Sequence, residues 1–204
     1  MKYSKLFITG VDSKTKWMLP WFQENFYTHN PGNELLVFDF DKSFTQYDGW
    51  FKKPYAMMNA GQKADFVCWV DVDIEINDNY DGIWDHVQEN KLLMAEDTPW
   101  TRRRGTKWHN SGVVAFTTIP MMPNILFDWC RALDTKHGQV GDQEVLHTLL
   151  SDDLKRMVNI TDMPRRYNTL RLDLHDGTAP EEVAGMHWTG KKGKEHIKGL
   201  MNNE

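Results

Sequence analysis

The stretch that decides the fold is Asp65-Phe66-Val67-Cys68-Trp69-Val70-Asp71-Val72-Asp73. Its middle is a nearly continuous apolar run, the pattern of a strand covered on both faces, and such strands belong to parallel sheets flanked by helices. Two acids close it. Side chains alternate along extended backbone, so Asp71 and Asp73 project to the same side. Two carboxylates at the end of a buried strand repel one another unless something positive sits between them, and a divalent cation is the usual answer. The same tripeptide also fits an exposed turn, but the apolar run before it favours the site, because a structural strand gains nothing from two terminal acids.

Outward from this strand the pattern alternates. Lys5 to Thr9, ending at Gly10, and Leu35 to Phe40 read as buried strands. Between them Trp17, Trp21, Phe22 and Phe26 recur at helical spacing, with a stop at His29-Asn30-Pro31-Gly32. A second helix is expected over about 50–61, with Gly61 as its C-terminal cap. Past the decisive strand come an amphipathic segment at 80–89, strands at 92–95 and 112–117, and helices at 120–133 and 142–154, the last opened by Gly141-Asp142. From Met157 to Glu204 the pattern is short strand-like pieces, polar loops and a Lys-rich tail. The expectation is one α/β domain over 1–204, with a mainly parallel central sheet flanked by helices and ligands beyond the carboxyl ends of the strands.

Composition bounds the function. Hydrophobic residues make up 40% and charged residues 26%, ordinary globular usage that excludes a disordered or fibrous chain. A net charge of −5 argues against nucleic acid as a general partner. Cys68 and Cys130 sit in apolar contexts and are expected as buried thiols rather than a disulfide. No stretch approaches the roughly 20 apolar residues of a membrane span, and the N-terminal apolar run is too short for a signal peptide, so a cytoplasmic location is expected. Nine Trp suit a groove for sugars or bases as well as they suit a core.

A third ligand for a cation is offered by His187, in Gly185-Met186-His187-Trp188-Thr189-Gly190-Lys191-Lys192-Gly193-Lys194, whose glycines and lysines suit phosphate. A satisfied core histidine followed by a solvated tail is the competing reading. The ordered set Asp71-Val72-Asp73, Asn110-Ser111-Gly112-Val113, Gly141-Asp142-Gln143 and His187-Trp188-Thr189-Gly190 resembles glycosyltransferase family 8, the glycogenin and lipopolysaccharide galactosyltransferase group of the GT-A fold. The resemblance implies a metal bound by Asp71, Asp73 and His187, and a reacting centre at Asn110, Asp142 and Gln143. The substrate-binding set expected is Thr9, Gly10, Asp12, Lys53, Asp71, Ser111, Gly112, Gly190, Lys192 and Lys194; Gly10 and Asp12, after the first strand, would line the nucleoside pocket, although a plain turn is an equally good reading. The family usually continues His-x-x-Gly-x-x-Lys-Pro-Trp, whereas here Gly193 stands at the Lys position and no Pro-Trp follows, which turns attention to Lys192 and Lys194 for the diphosphate.

The implied function is transfer of a sugar from a nucleotide-sugar donor, UDP-sugar favoured, to a carbohydrate or other hydroxyl acceptor. The cofactor expected is manganese (Mn2+), with magnesium (Mg2+) second because imidazole is a poor partner for it. Resemblance implies retention at the anomeric carbon; an inverting enzyme would need a carboxylate base, for which Glu96, Asp97 and Glu144 are candidates. Arg102-Arg103-Arg104 reads either as a solvated loop or as a flap or grip on an anionic acceptor. The competing functions are a nucleotidyltransferase, which would want a glycine-rich basic loop after the first strand, and a non-catalytic sugar-nucleotide or carbohydrate-binding module.

Overall fold

The computed structural model describes residues 2–134 and 141–202. In chain order it contains β1 (Tyr3–Val11), α1 (Leu19–His29), β2 (Leu35–Asp39), α2 (Lys53–Gly61), β3 (Ala64–Val70), β4 (Ile74–Ile76), β5 (Leu92–Glu96), α3 (Thr98–Arg104), β6 (His109–Thr117), α4 (Asn124–Asp134), α5 (Asp142–Leu149), α6 (Asp153–Asn159), β7 (Ile160–Met163), β8 (Thr169–Leu170), α7 (Arg171–His175), β9 (Gly185–His187) and α8 (Gly190–Asn202). The central sheet has six strands in the order β2-β1-β3-β6-β5-β7. β1 pairs in parallel with β2 and β3, and β5 with β7, while β6 runs antiparallel to both of its neighbours. The start of β6 therefore lies beside the carboxyl ends of β3 and β5.

The decisive strand is covered on both faces. On one side Val67 and Trp69 join Leu6, Ile8, Met57, Leu126 and Trp129 in a core under α2, α4 and α5. On the other, Cys68 and Val70 join Phe7, Trp21, Phe22 and Phe26 under α1. The period-two split within β1 and β3 is what a sheet sandwiched between helices requires. Trp129 is wholly buried and its indole N–H donates to the Asp142 carbonyl at 2.9 Å, so it tethers the start of α5 to α4. Truncating such a side chain to Ala costs about 3–5 kcal/mol. Cys68 and Cys130 are both free and buried, as expected, and burial pushes the Cys130 thiol up to about 12.

Three expectations are corrected. Gly61 is not a cap in left-handed backbone: the helix continues to Gln62 at φ −75°, and a Cβ on Gly61 would press on Met122, so the glycine serves close packing. The Lys-rich tail is not loop but α8, whose Ile197 is buried beneath the sheet's second core. The 142–154 segment is two helices rather than one. α5 ends at Leu149, and Asp152 caps α6 by accepting from the Lys155 N–H at 2.8 Å.

A second sheet, β4-β9-β8, answers in part to the short strand-like pieces expected after Met157, but β4 and the pairing of the three strands have no counterpart in the sequence reading. Its strands have two or three residues each, too short for periodicity to register. It matters because β4 pairs antiparallel with β9 in a register that sets Ile74 opposite His187. The Trp188 N–H then donates to the Asp73 carbonyl at 3.0 Å, drawing the His187 segment against the end of β3.

Candidate active site

Asp71 and Asp73 follow β3, and His187 ends β9; one ligand atom from each lies within 4.8 Å of the other two. His187 Nε2 is 3.2 Å from Asp73 Oδ1 and 3.8 Å from Asp71 Oδ2. Burial drives the Asp71 carboxyl above its ordinary value despite nearby Lys53. For Asp73 burial acts the same way but is outweighed by the His187 ring, with Lys194 and Lys53 adding, and its carboxyl lies below the usual range. His187 is raised, because the attraction of Asp73 exceeds the cost of burying a cation.

The hydrogen bonds assign the His187 tautomer. The Gly112 N–H can only donate, and it donates to Asn110 Oδ1 at 2.8 Å. The Asn110 amide nitrogen must then point the other way, and it donates to Asp97 Oδ2 at 3.1 Å. Asn110 Oδ1 also accepts from Asn168 Nδ2 at 3.0 Å, which turns Asn168 Oδ1 toward His187 Nδ1, 3.0 Å away. Nδ1 carries a proton, so a divalent cation between the carboxylates would have to displace only the proton on Nε2, whose lone pair would then face it. Two hard oxygen donors and one correctly oriented imidazole nitrogen suit a divalent cation. A Cβ on Gly112 would overlap the His187 ring, so glycine there makes room for the third ligand.

Lys53 is buried to 2% exposure, and its ammonium stands 3.0 Å from Asp71 Oδ1, 3.0 Å from the Ser111 carbonyl and 3.4 Å from Asp142 Oδ2. A buried ammonium is tolerable only when so paired; burial would lower it, but Asp142 and Asp71 hold it above its ordinary value. Asp71 Oδ1 also accepts from Trp69 Nε1 at 2.6 Å, which leaves Oδ2 turned toward His187. Asp142 opens α5, and its carboxylate accepts from Ser111 Oγ at 3.0 Å. Gln143 Oε1 accepts the Ser111 N–H at 3.0 Å, so its amide nitrogen is the end that donates to Asp97 Oδ2 at 3.2 Å.

Asp97 is thus an anchor. It also accepts the Trp100 N–H at 3.1 Å, capping α3. Burial raises its carboxyl above the ordinary value even against these bonds. That engagement removes Asp97 from the candidates for a free base. It also corrects the loop reading of the arginine triplet: Arg102, Arg103 and Arg104 form the last turn of α3, which Gly105 ends in left-handed backbone at φ +69°.

A hollow of about 180 Å³ is lined by Trp50, Lys53, Asp71, Asp73, Asn110, Ser111, Gly112, Asp142, Gln143, His187, Thr189 and Gly190. Every residue of the four motifs carrying the expected metal, catalytic and sugar roles lines it. A larger hollow of about 680 Å³ lies around Lys91, Lys107, His109 and Arg156 and contains none of them. Thr9, Gly10 and Asp12 do not line the motif hollow. Phe40 fills the space over Gly10, and Asp12 Oδ1 closes a turn by accepting from the N–H groups of Lys14 and Thr15, both at 3.0 Å.

Of the two lysines expected near phosphate, Lys194 lies 5.5 Å over the Trp50 ring and acts on Asp73, whereas Lys192 is exposed. Gly193 departs from the family's lysine because a Cβ there would strike the Trp188 carbonyl as α8 turns back over it. Asn168, Trp69, Trp50 and the anchoring role of Asp97 were not legible in the sequence. Asn168 stands in Arg165-Arg166-Tyr167-Asn168, where no spacing marks it, and only the fold brings it to His187.

No protein-family profile matches the sequence, and no curated protein sequence matches it. Solved structures do. The galactosyltransferase LgtC, in complex with donor and acceptor sugar analogues, superposes with a TM-score of 0.66 at 14% identity, over 97% of this chain and 95% of that one. A glycosyltransferase involved in glycosylation of the major capsid of PBCV-1 gives 0.67 at 11%, over 98% and 99%. The glycosyltransferase GlyE of Streptococcus pneumoniae TIGR4 gives 0.62 at 15%, over 93% of this chain and 55% of that one. The chain has the GT-A glycosyltransferase fold.

Proposed function

We propose that this chain is a glycosyltransferase that moves a sugar from a nucleoside-diphosphate sugar to an acceptor hydroxyl, with a divalent cation held by Asp71, Asp73 and His187. The single observation that carries the reading is the convergence of these three ligand atoms within 4.8 Å, from strand ends far apart in sequence. Manganese is preferred over magnesium because of the imidazole ligand, and a UDP-sugar is the favoured donor. When bound, the cation's part is to take up negative charge that grows on the leaving diphosphate.

The chain's own residues supply the rest. α8 begins at Gly190 on the rim of the hollow, so its free N–H groups and positive dipole end, with Lys194, are offered to the diphosphate. The transition state is a cationic sugar ring. Asp142, held by Ser111 and Lys53, supplies negative charge beside it, while Asn110 and Gln143, oriented by Asp97, offer polar edges to the donor sugar. Retention is the proposed outcome on the family resemblance; Asp97 is engaged by Trp100, Asn110 and Gln143, whereas Glu144, another carboxylate an inverting enzyme could use as base, lines an adjoining hollow. Against a nucleotidyltransferase stands the segment after β1, a tight turn closed by Asp12 with Gly10 covered by Phe40, rather than an open glycine-rich loop.

The test is calorimetric titration with UDP and GDP, with and without manganese, followed by donor-sugar hydrolysis or transfer. Asp73→Ala is expected to abolish the manganese-dependent part of nucleotide binding. Asp142→Asn is expected to bind normally but turn over about a hundredfold more slowly. Manganese-independent binding in the wild type, or unchanged binding in Asp73→Ala, would overturn the metal assignment.

A further inference from the structure

The hollow around Lys91, Lys107, His109 and Arg156 lies outside the site already described. It holds about 680 Å³, within the roughly 300–1,000 Å³ of ordinary small-molecule pockets, and shares no residue with the hollow around Asp71, Asp73 and His187. Its cations come from three separate parts of the chain: Lys91 precedes β5, Lys107 lies between α3 and β6, and Arg156 belongs to α6. Met157 and Ile160 give it an apolar side.

Two of its walls carry polar atoms with nothing to bond. A surface helix ordinarily turns its apolar stripe inward, but α6 does the reverse. Arg156 is its buried residue, 8% exposed, whereas Leu154 and Met157 are 70% and 68% exposed. The inward guanidinium donates to the Leu150 carbonyl at 3.0 Å and to Asp153 Oδ1 at 2.9 Å, yet its buried Nε–H has no partner among the described residues. His109, 1% exposed, repeats the pattern. Its Nε2 stands 2.9 Å from Asp162 Oδ1 and so carries a proton, which leaves Nδ1 as the acceptor of the neutral ring, buried and also without a partner. Buried polar atoms are ordinarily paired, so an orphaned donor and an orphaned acceptor on side chains that line one hollow mark positions for an occupant. The occupant meets them as the two side chains turn toward it.

The charges leave one cation over. Asp162 is held by Lys107 at 2.6 Å as well as by His109, and Asp153 is held by Arg156. Lys91 is half-buried and takes no carboxylate partner among the described residues.

We propose that this hollow binds a small organic phosphate, a monoester whose phosphate oxygens accept from Lys91 and Arg156 while its body lies against Met157 and Ile160. A guanidinium fork and an ammonium are the usual partners of phosphate oxygens. The orphaned pair selects the same class. A phosphate monoester supplies oxygens for the Arg156 Nε–H and, through a P–OH or a hydroxyl on its body, a donor for His109 Nδ1, whereas a simple ionised carboxylate only accepts. It also brings about −1.5 to −2 charges near pH 7, which suits a wall of several cations better than the single charge of a carboxylate. The volume exceeds what a phosphate ion fills, so the group is carried on an organic body. No proposed metal ligand or reacting residue takes part, so the proposal stands apart from the glycosyltransferase reading.

The experiment follows backbone amide signals of the intact, metal-free chain by heteronuclear NMR in a phosphate-free buffer. Gly105 and Lys107 report on this hollow, and Gly112 and Gly190 on the other. The probes are glycerol phosphate, a hexose phosphate and phenyl phosphate, with inorganic phosphate and glycerate for comparison. At least one monoester is expected to shift Gly105 and Lys107 saturably, and to bind about tenfold or more tightly than inorganic phosphate or glycerate. Lys91→Met and Arg156→Met should each weaken it about tenfold. Lys91→Met removes no buried side chain and keeps the test open if Arg156→Met fails to fold. Asp73→Ala should leave the binding unchanged, whether or not the chain proves to bind a nucleotide sugar. The proposal is overturned by the absence of any saturable shift, by shifts confined to Gly112 and Gly190, by glycerate or inorganic phosphate binding as tightly as every ester, or by wild-type affinity in Lys91→Met.

Discussion

Replacing Asn168 by Ala should weaken divalent-cation binding without touching any proposed ligand. Asn168 is 1% exposed and spans two groups, donating to Asn110 Oδ1 and accepting from His187 Nδ1, both at 3.0 Å. In Asn168→Ala the Asn110 oxygen keeps the Gly112 N–H, but the His187 Nδ1–H loses its partner inside a buried site. An unsatisfied buried donor costs about 1–3 kcal/mol of stability. The ring is also released to turn or to adopt the other tautomer, and loss of such a partner lowers metal affinity about 10- to 100-fold, or about 1.4–2.7 kcal/mol. The control is Asn168→Asp. It still accepts from His187 but cannot donate to Asn110, so it should keep manganese affinity within about tenfold of wild type while losing stability, because two acceptors then face each other. Manganese titration followed by electron paramagnetic resonance gives the affinities, denaturant unfolding the stabilities, and 15N shifts of the His187 ring the tautomer. A folded Asn168→Ala with wild-type manganese affinity, or a wild-type ring protonated on Nε2 alone in the metal-free protein, would refute the reasoning.

Gly112→Ala should also disable the metal centre, because its methyl group would overlap the His187 ring; circular dichroism should remain native while manganese affinity drops at least about tenfold. His147 gives a pH prediction. Burial lowers it to about 4 from an ordinary 6.5, so the unfolded chain binds a proton there that the folded chain does not. Its contribution to stability is fully present above pH 6.5 and is lost as pH falls toward about 4, amounting to about 3 kcal/mol. Unfolding free energies of wild type and His147→Gln measured across that window should converge on acidification, and parallel curves would show that His147 titrates alike in both states.

The apolar run ending in Asp71 and Asp73 announced a strand buried on both faces with its chemistry at the carboxyl end, because continuous hydrophobicity and period-two alternation are local properties of the chain. The strands at β1, β2, β5 and β6, the helix of Trp21, Phe22 and Phe26, and the two buried thiols were legible for the same reason. So was the ordered set of motifs, since each is a short contiguous string. The antiparallel course of β6 was not, because strand direction in a sheet depends on how the connections cross it. β4 and the pairing of the β4-β9-β8 sheet escaped as well, its strands being shorter than one period of any pattern. That sheet is what carries His187 to Asp73, and the tertiary fold alone decided which amides then fixed its ring: Asn168 gains its role only because a chain of hydrogen bonds starting at the Gly112 N–H leaves it one orientation. Asp97 shows the same division. Its acidity is written in the sequence, but burial among the Trp100 N–H and the Asn110 and Gln143 amides turned a candidate base into an anchor, since a carboxylate's chemistry is set by the neighbours that packing brings to it.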